Sequence, residues 1–309
     1  MAHVMPTGSG SDAELVLDAR CATGESPVWR ADERALYWVD IPARRLHRLD
    51  PATGAHATWT GDEMLACIAP RAGRPGQWIA GMESGLFAIA ARDDGTLGST
   101  LLASAAHAAP GMRFNDGRCD RQGRFRAGTM LMDMAAGRDV GRVYRYQADV
   151  NAEAALRLEL DALVVPNGLA FSPDGATMYL SDSHPDVQAI WAFDYDTDTG
   201  TPHGRRLFVD MKSLPGRPDG AAVDAEGCYW ICGNDAGRVH RFTPDGRLDR
   251  SLAVPVKKPA MCAFGGERLD TLFVTSIRPG GDLSDQPLAG GVFALRPGVA
   301  GLPEPACVF

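Results

Sequence analysis

The chain has 309 residues, with 39 acidic and 31 basic side chains, and its formal net charge is −8. This acidic balance, without any run of lysine or arginine, argues against nucleic-acid binding. No apolar segment approaches the roughly 18 residues that a membrane-spanning helix requires. The N-terminus lacks the basic start and apolar core of a secretory signal. We therefore expect a cytoplasmic protein that binds neither nucleic acid nor membranes.

The predicted elements are short strands, grouped into units. The first unit starts at Glu25 and has apolar runs over 27–29, 35–40 and 45–50, followed by a turn at 51–54. Runs of aromatic and β-branched residues between Pro, Asp and Gly turns are typical of β-strands. The first unit therefore predicts about three or four strands, the content of one propeller blade.

Later units repeat this order along the chain. The fourth unit has strand-like runs at 167–171, 177–182 and 189–194, and the fifth has them at 219–224 and 228–232. A period of about 40 to 50 residues with this strand content indicates β-propeller blades. The sequence thus repeats one structural unit rather than alternating strands with helices.

Six such units predict an all-β, six-bladed β-propeller as a single domain over residues 14–309. Residues 1–13 are predicted to form a flexible N-terminal tail. Helix signals are nearly absent. The stretch 151–163 has helical composition but no sustained 3.6-residue period, so a strand plus a loop is at least as plausible there.

One position at the start of each unit changes character from unit to unit. Four units carry an oxygen-bearing side chain there and two carry alanine, at intervals of 41, 50, 51, 52 and 41 residues. Innermost propeller strands line a central channel, so these positions should converge near one channel mouth. They are Glu25, Ala66, Asp116, Asn167, Asp219 and Ala260.

Three carboxylates and an amide around a narrow axis would repel one another unless a cation neutralised them. An all-oxygen donor set suits calcium, magnesium or manganese, and zinc or ferrous iron accept it. Glu25 and Asp219 together balance a divalent ion, with Asn167 as a neutral third ligand. Three protein ligands leave positions open for water and substrate, which is the catalytic arrangement.

A simpler interpretation treats these residues as turns. Asn167, followed by glycine, can form a type I′ hairpin turn, and Asp116 and Asp219, also followed by glycine, can form Asx turns. Ordinary Asp-Gly turns occur at 94, 174 and 245. Those turns lie between strands, whereas the repeated set lies ahead of each innermost strand, which favours the metal site.

Polar residues near the third repeated position extend the predicted site. Arg113 and Asn115 precede the innermost strand of the third unit and can hydrogen-bond hydroxyl and carbonyl oxygens of a polar ligand. An ion pair between Arg113 and a channel carboxylate is the competing interpretation. Asp133 follows the next strand, and its loop can return to the same mouth; alone it would be a solvated loop acid.

Six segments, in this order, resemble the family of senescence marker protein (regucalcin) and gluconolactonase: GESPVW, RFNDG, GTM, PNGLAFSPDG, RPDGAAVDAEG and CAFGG. The resemblance extends over residues 14–308. It implies a six-bladed propeller with one catalytic divalent cation in the central channel, and hydrolysis of sugar aldonolactones to aldonic acids.

Residue by residue, the resemblance implies a metal site, substrate contacts and a catalytic role. The family's metal ligands fall on Glu25, Asn167 and Asp219, and its sugar-binding arginine and asparagine fall on Arg113 and Asn115. A further substrate-contacting acid, often glutamate, falls on Asp133, whose shorter side chain leaves the sugar preference open. Because the family places Asn115 nearest the substrate, the third unit can be offset by one residue from Asp116.

We therefore predict metal-dependent hydrolysis of a glucono-, galactono-, arabinono- or xylonolactone, with Asp219 orienting or activating water. The cofactor is expected to be calcium or zinc, with manganese, magnesium or ferrous iron as further candidates. The protein is expected to be a monomer or weak homo-oligomer. Loops at 134–140, 183–188 and 279–287 are expected to select the sugar. The alternatives are another metal-dependent esterase or organophosphate hydrolase, or a non-enzymatic calcium-binding propeller.

Overall fold

A computed structural model describes residues 12–309, whose strands form six four-stranded antiparallel sheets. Five of these sheets consist of four successive strands each, and the sixth combines the last three strands with the first. This is the predicted six-bladed β-propeller.

The strands of the first three blades follow one another in the chain. Blade 1 contains β2 (Gly24–Arg30), β3 (Ala35–Asp40), β4 (Arg45–Leu49) and β5 (His56–Thr60). Blade 2 contains β6 (Leu65–Pro70), β7 (Gln77–Met82), β8 (Gly85–Ala91) and β9 (Leu97–Ser104). Blade 3 contains β10 (Met112–Cys119), β11 (Phe125–Leu131), β12 (Gly141–Tyr146) and β13 (Leu156–Leu163).

The second half of the chain continues the pattern. Blade 4 contains β14 (Pro166–Phe171), β15 (Thr177–Asp182), β16 (Ala189–Asp196) and β17 (Thr201–Asp210). Blade 5 contains β18 (Arg217–Val223), β19 (Tyr229–Asn234), β20 (Arg238–Phe242) and β21 (Leu248–Ala253). Blade 6 contains β22 (Pro259–Gly265), β23 (Thr271–Ser276), β24 (Val292–Leu295) and β1 (Ala13–Leu17).

The N-terminal strand β1 closes the ring. It pairs antiparallel with β24, with Ala13 opposite Leu295 and Leu15 opposite Phe293. The two ends of the chain are thereby joined in one sheet, and closure leaves only short strand edges. Most of the predicted tail, residues 1–11, lies outside the described residues, while Ala13 of that range is the first residue of β1.

The core lies between neighbouring blades, because each sheet packs one face against the preceding blade and the other face against the following blade. Strands such as β3, β6 and β14 are buried along their whole length. Aromatic rings join the blades: Tyr37 of blade 1 contacts Trp78 of blade 2 with centroids 4.6 Å apart, and Trp230 of blade 5 contacts Phe264 of blade 6 at 6.1 Å. This packing fixes the innermost strands around the central channel.

Helices contribute little to the described part of the chain. Its helices are two single 3-10 turns, at Met134–Ala136 and Met211–Ser213. The stretch with helical composition, 151–163, instead ends in strand β13, so the strand interpretation is confirmed. Neither of the helices in residues 12–309 has the length and apolar character needed to cross a membrane.

Candidate metal and substrate site

The innermost strand of every blade carries a β-bulge near its start. Such a bulge opposes two residues to one, bends the strand and turns a side chain out of its regular direction. The repeated residues lie within or at the edge of these bulges, which therefore aim them into the channel. The register shifts fall between Glu25 and Val28, Leu65 and Cys67, Phe114 and Gly117, Asn167 and Ala170, Pro218 and Ala221, and Pro259 and Cys262.

The interpretation of these residues as ordinary turns is wrong. Asn167, Asp116 and Asp219 each lie inside an innermost strand, and none of them lies in a turn between strands. Gly168 has a φ of +60°, and a Cβ there would lie 2.5 Å from the Tyr229 hydroxyl oxygen. Glycine thus follows Asn167 because the bulge needs a left-handed residue without a side chain.

Four oxygen-bearing residues converge in the channel. The Asn167 side chain donates from Nδ2 to Oδ1 of Asp219 at 2.5 Å, although the two are 52 residues apart. Asp116 Oδ2 accepts a hydrogen bond from the backbone N–H of Leu169 at 2.8 Å. Glu25, Asp116, Asn167 and Asp219 are only 9%, 6%, 3% and 7% exposed. The bulges therefore gather these side chains in a setting shielded from water.

The charge of Glu25 is poorly compensated. Burial raises the pKa of its carboxyl group well above the usual value, and the negative charges of Asp219 and Asp116 raise it further. The backbone N–H of Ser26, 3.3 Å from Oε2, and the charge of Arg113 only partly oppose this rise. Ionised Glu25 therefore calls for an additional positive charge.

The other two carboxyl groups share this property. Burial raises the pKa of Asp219 to about 7, against the opposing hydrogen bond from Asn234 and the charge of Arg217. Burial also raises the pKa of Asp116, against the opposing charge of Arg118. Three buried carboxyl groups thus occupy one channel without enough cationic side chains to balance them.

These residues fit a divalent cation. The donor set consists of carboxylate and amide oxygens, the ligands that hard cations prefer. Oδ1 of Asp116 is buried and has no hydrogen-bond partner among residues 12–309. A buried oxygen without a donor is costly unless a cation or water satisfies it. That Glu25, Asn167 and Asp219 ligate a metal stays a prediction, and their placement supports it.

Arg113 and Asn115 lie side by side at the same strand start. Arg113 donates from Nη1 to Asn115 Oδ1 at 2.9 Å and to the Phe114 carbonyl at 2.6 Å, and Asn115 Nδ2 donates to the Pro166 carbonyl at 3.1 Å. Within the described residues, no carboxylate lies at ion-pair distance from Arg113, so the competing interpretation of an ion pair with a channel carboxylate is wrong. The guanidinium retains donors for another ligand.

Asp133 is not part of the buried group. It is exposed in the loop after β11, at the start of the 3-10 turn Met134–Ala136. Its loop nevertheless returns to the same channel mouth, because Leu131 pairs with Met112 at the start of β10. The Met134 carbonyl lies 3.1 Å from Nε2 of His184, which anchors this loop to blade 4. Asp133 is thus a rim residue.

Comparison with known protein families gives one extended match. Residues 23–278, most of the chain, match the family described as SMP-30/Gluconolactonase/LRE-like region. The chain belongs to this family. The resemblance carried by its sequence motifs is therefore confirmed, and the blades that hold Glu25, Asn167 and Asp219 all lie inside the matched region.

Several known members of the gluconolactonase family are similar over nearly their whole length. A 6-deoxy-6-sulfogluconolactonase of Pseudomonas putida is 43% identical over 285 residues, covering 91% of this chain and 94% of that protein. A pentonolactonase of Haloferax volcanii is 33% identical over 296 residues, covering 94% and 96%. The solved structure of a calcium-binding protein, regucalcin, from Agrobacterium tumefaciens has a TM-score of 0.86 at 29% identity, covering 96% and 97%.

Sequence reasoning missed the residues that support the candidate ligands in this family member. Asn234 donates from Nδ2 to Asp219 Oδ2 at 2.6 Å, and Ser183 Oγ lies 3.1 Å from Asn167 Nδ2. Asn234 is the last residue of β19, and Ser183 follows the last residue of β15. In both blades this is the end of the second strand, which lies beside the start of the innermost strand. That shared position is the sequence signal that could have found them.

A second group of metal-capable side chains lies in blade 1. Ligand atoms of Cys21, Asp40 and His47 are all within 4.8 Å of one another. Asp40, however, accepts two successive backbone N–H groups of the preceding loop at 2.9 and 3.0 Å, and Asp182 does the same in blade 4 at 2.8 and 3.0 Å. His47 stacks on Trp38 with centroids 4.8 Å apart. The group therefore serves packing and loop support.

Buried His47 should make folding pH-dependent. Burial lowers its pKa to about 3, with the charge of His56 adding to the effect, whereas an unfolded histidine has a pKa near 6.5. Between these values the unfolded chain binds more protons, so stability is complete above pH 6.5 and falls as the pH drops. The expected loss is about 1.4 kcal/mol per pH unit.

Urea unfolding at pH 6.5 and 5.5 measures this loss. We expect the substitution His47→Gln to remove about 1 kcal/mol of the difference in unfolding free energy between the two pH values, because an unfolded histidine is already half protonated at pH 6.5. The exposed His203, replaced by Gln, is the control and should leave the difference unchanged. An unaltered pH dependence in His47→Gln would show that this residue does not set it.

Proposed function

We propose that this protein is a metal-dependent lactonase that hydrolyses a sugar aldonolactone to the corresponding aldonic acid. One observation carries the proposal: three buried carboxyl groups and an amide meet in the channel on four of the six equivalent bulges, with too little positive charge to balance them. Relatives named as a sulfogluconolactonase and a pentonolactonase, each aligned over more than nine-tenths of the chain, support the same chemistry.

Glu25, Asn167 and Asp219 are the residues that would hold the cation. A bound divalent cation supplies Lewis acidity, which polarises a lactone carbonyl and stabilises the negative charge that develops on its oxygen. Asp219 orients or deprotonates the water that attacks the carbonyl carbon. The bond between the carbonyl carbon and the ring oxygen then breaks, the ring oxygen takes up the proton that the attacking water has lost, and the open-chain acid leaves.

The polar groups at the mouth would hold the sugar. Arg113 and Asn115 present donors and acceptors beside the buried carboxyl groups, and such groups pair with sugar hydroxyls. Asp133 on the rim adds an acceptor that no described residue occupies. A polyhydroxylated substrate matches this lining better than an apolar ester does.

Calcium is the favoured cation and zinc the second candidate. The all-oxygen donor set lacks the histidine and cysteine that zinc sites usually contain. The similar regucalcin structure is that of a calcium-binding protein. Manganese, magnesium and ferrous iron also accept such ligands.

Acid release from a panel of lactones tests the proposed function. Metal-depleted protein would be assayed on glucono-, galactono-, arabinono-, xylono- and 6-deoxy-6-sulfogluconolactone, with each divalent ion added back. We expect metal-dependent turnover and a marked preference for one sugar. The absence of turnover on every lactone with every ion would overturn the proposal and favour an organophosphate substrate or a binding role.

Asp133 should affect substrate binding more than the chemical step. Its side chain is exposed and makes no hydrogen bond with any described residue, so Asp133→Ala should fold normally. Losing one hydrogen bond to the sugar, worth about 1 kcal/mol, should raise KM roughly fivefold and leave kcat nearly unchanged. Steady-state kinetics checks this, with Asp93→Ala as the control, since Asp93 is exposed in the turn between β8 and β9, away from the channel mouth. Equal KM values in both variants would remove Asp133 from the sugar site.

A further inference from the structure

Asn234 donates a short hydrogen bond to the candidate catalytic carboxylate, that of Asp219. It is the last residue of β19, is 2% exposed, and donates from Nδ2 to Oδ2 of Asp219 at 2.6 Å. The other carboxylate oxygen, Oδ1, accepts from Asn167. Asp219 is therefore held at both oxygens by neutral amide donors, and one of these amides belongs to no predicted metal ligand.

The Asn234 amide is itself oriented by Arg217, which faces the amide oxygen. Its Oδ1 faces Nη2 of Arg217 at 3.5 Å, while Arg217 Nε donates to Asp235 Oδ2 at 2.6 Å and Nη1 donates to the Ser183 carbonyl at 3.1 Å. Lys258 also pairs with Asp235. Arg217 is thereby fixed by two partners in addition to Asn234, the Asp235 carboxylate and the Ser183 carbonyl.

This arrangement decides which way the amide points. If it were reversed, Asn234 Oδ1 would meet the Asp219 carboxylate and Nδ2 would meet the Arg217 guanidinium, placing acceptor against acceptor and donor against donor. The fixed guanidinium thus selects the orientation in which Asn234 donates to Asp219.

We infer that Asn234, oriented by Arg217, is a positioning residue for Asp219. The inference rests on the proposed function, because it assigns Asn234 the task of holding the carboxylate toward a cation and an attacking water. Groups that orient a metal ligand in this way typically change metal affinity or activity by about 10–100-fold. Asn234 acts through Asp219 and makes no contact with the substrate in this account.

Two substitutions remove the amide in different ways. Asn234→Leu replaces the amide by an apolar side chain of similar volume, which keeps water out of the site. Asn234→Ala leaves a small space and serves as the second variant if leucine does not fit. Ser276→Ala is the matched control. Ser276 is also buried and ends the corresponding strand of blade 6, but its hydroxyl donates to the Gly291 carbonyl.

The measurements are calcium titration of metal-depleted protein by calorimetry and steady-state lactone kinetics. We expect both Asn234 variants to bind calcium about 10–100-fold more weakly than the unaltered chain. At saturating calcium we expect a lower kcat with little change in KM, whereas Ser276→Ala should match the unaltered chain in both measurements.

The outcomes separate this inference from the proposed function. Unchanged calcium affinity and kcat in a folded Asn234 variant, beside an active and calcium-binding unaltered chain, would overturn the role of Asn234 alone. An equal loss in Ser276→Ala would also overturn it, because the effect would then reflect packing. If the unaltered chain neither bound a divalent cation nor hydrolysed any lactone, the proposed function and this inference would fall together.

Discussion

Replacing Asp219 by asparagine should lower kcat for lactone hydrolysis by roughly 10²–10⁴-fold, the usual contribution of a positioned acid or base. The change removes a negative charge that would hold the cation and an acceptor that would handle the attacking water. The metal-free variant should still fold. Because burial raises the pKa of Asp219 to about 7, a neutral amide there avoids the cost of a buried charge.

Kinetics and thermal unfolding of Asp219→Asn check both parts of this prediction. The control is Asp245→Asn, an exposed residue in the turn between β20 and β21, at the end of the propeller away from the candidate site. We expect Asp245→Asn to keep full activity. If Asp219→Asn with metal bound retained full activity, Asp219 would have no catalytic role.

Removing divalent ions with a chelator should abolish lactone hydrolysis and lower the unfolding temperature. A ligand present at 100 times its Kd stabilises the folded state by about 2.7 kcal/mol. For a domain of this size, that corresponds to roughly 5 °C. The physical reason is the repulsion among Glu25, Asp116 and Asp219, which a cation relieves and which remains when the cation is removed.

Scanning calorimetry with and without added calcium or zinc measures this effect. The substitution Glu25→Gln removes one predicted ligand charge and should lose most of the metal-induced rise in unfolding temperature. His203→Gln, on the exposed part of β17, should retain it. Equal stability with and without every ion tested would contradict a cation site in the channel.

The ring of blades could be predicted because the regular spacing of the repeats gives the number of blades and the position at which each one starts. Once the units were aligned, the start of each innermost strand followed, and Glu25, Asn167 and Asp219 were placed in one channel without any structure. In the third blade, the spacing could not decide which residue occupies the repeated position, because the bulge contains both Asn115 and Asp116. One of them bonds to the Pro166 carbonyl and the other to the Leu169 N–H, a division that spacing cannot reveal.

Other features depend on information that the repeats do not carry. Strand β1 pairs with β24 at the opposite end of the sequence, and its five residues belong to no repeated spacing. The support from Asn234 depends on the direction of a side chain at a strand end. Asp133 could be assigned to the correct mouth, but its exposure on the rim depends on the path of the loop after β11.

Anomalous X-ray diffraction from crystals of the metal-depleted protein soaked in manganese would test the central claim most directly. We expect one strong peak in the channel, at about 2.0–2.6 Å from oxygens of Glu25, Asn167 and Asp219. An ordered ion bound elsewhere, with these three side chains hydrogen-bonded only to one another and to neighbouring protein groups, would contradict the account.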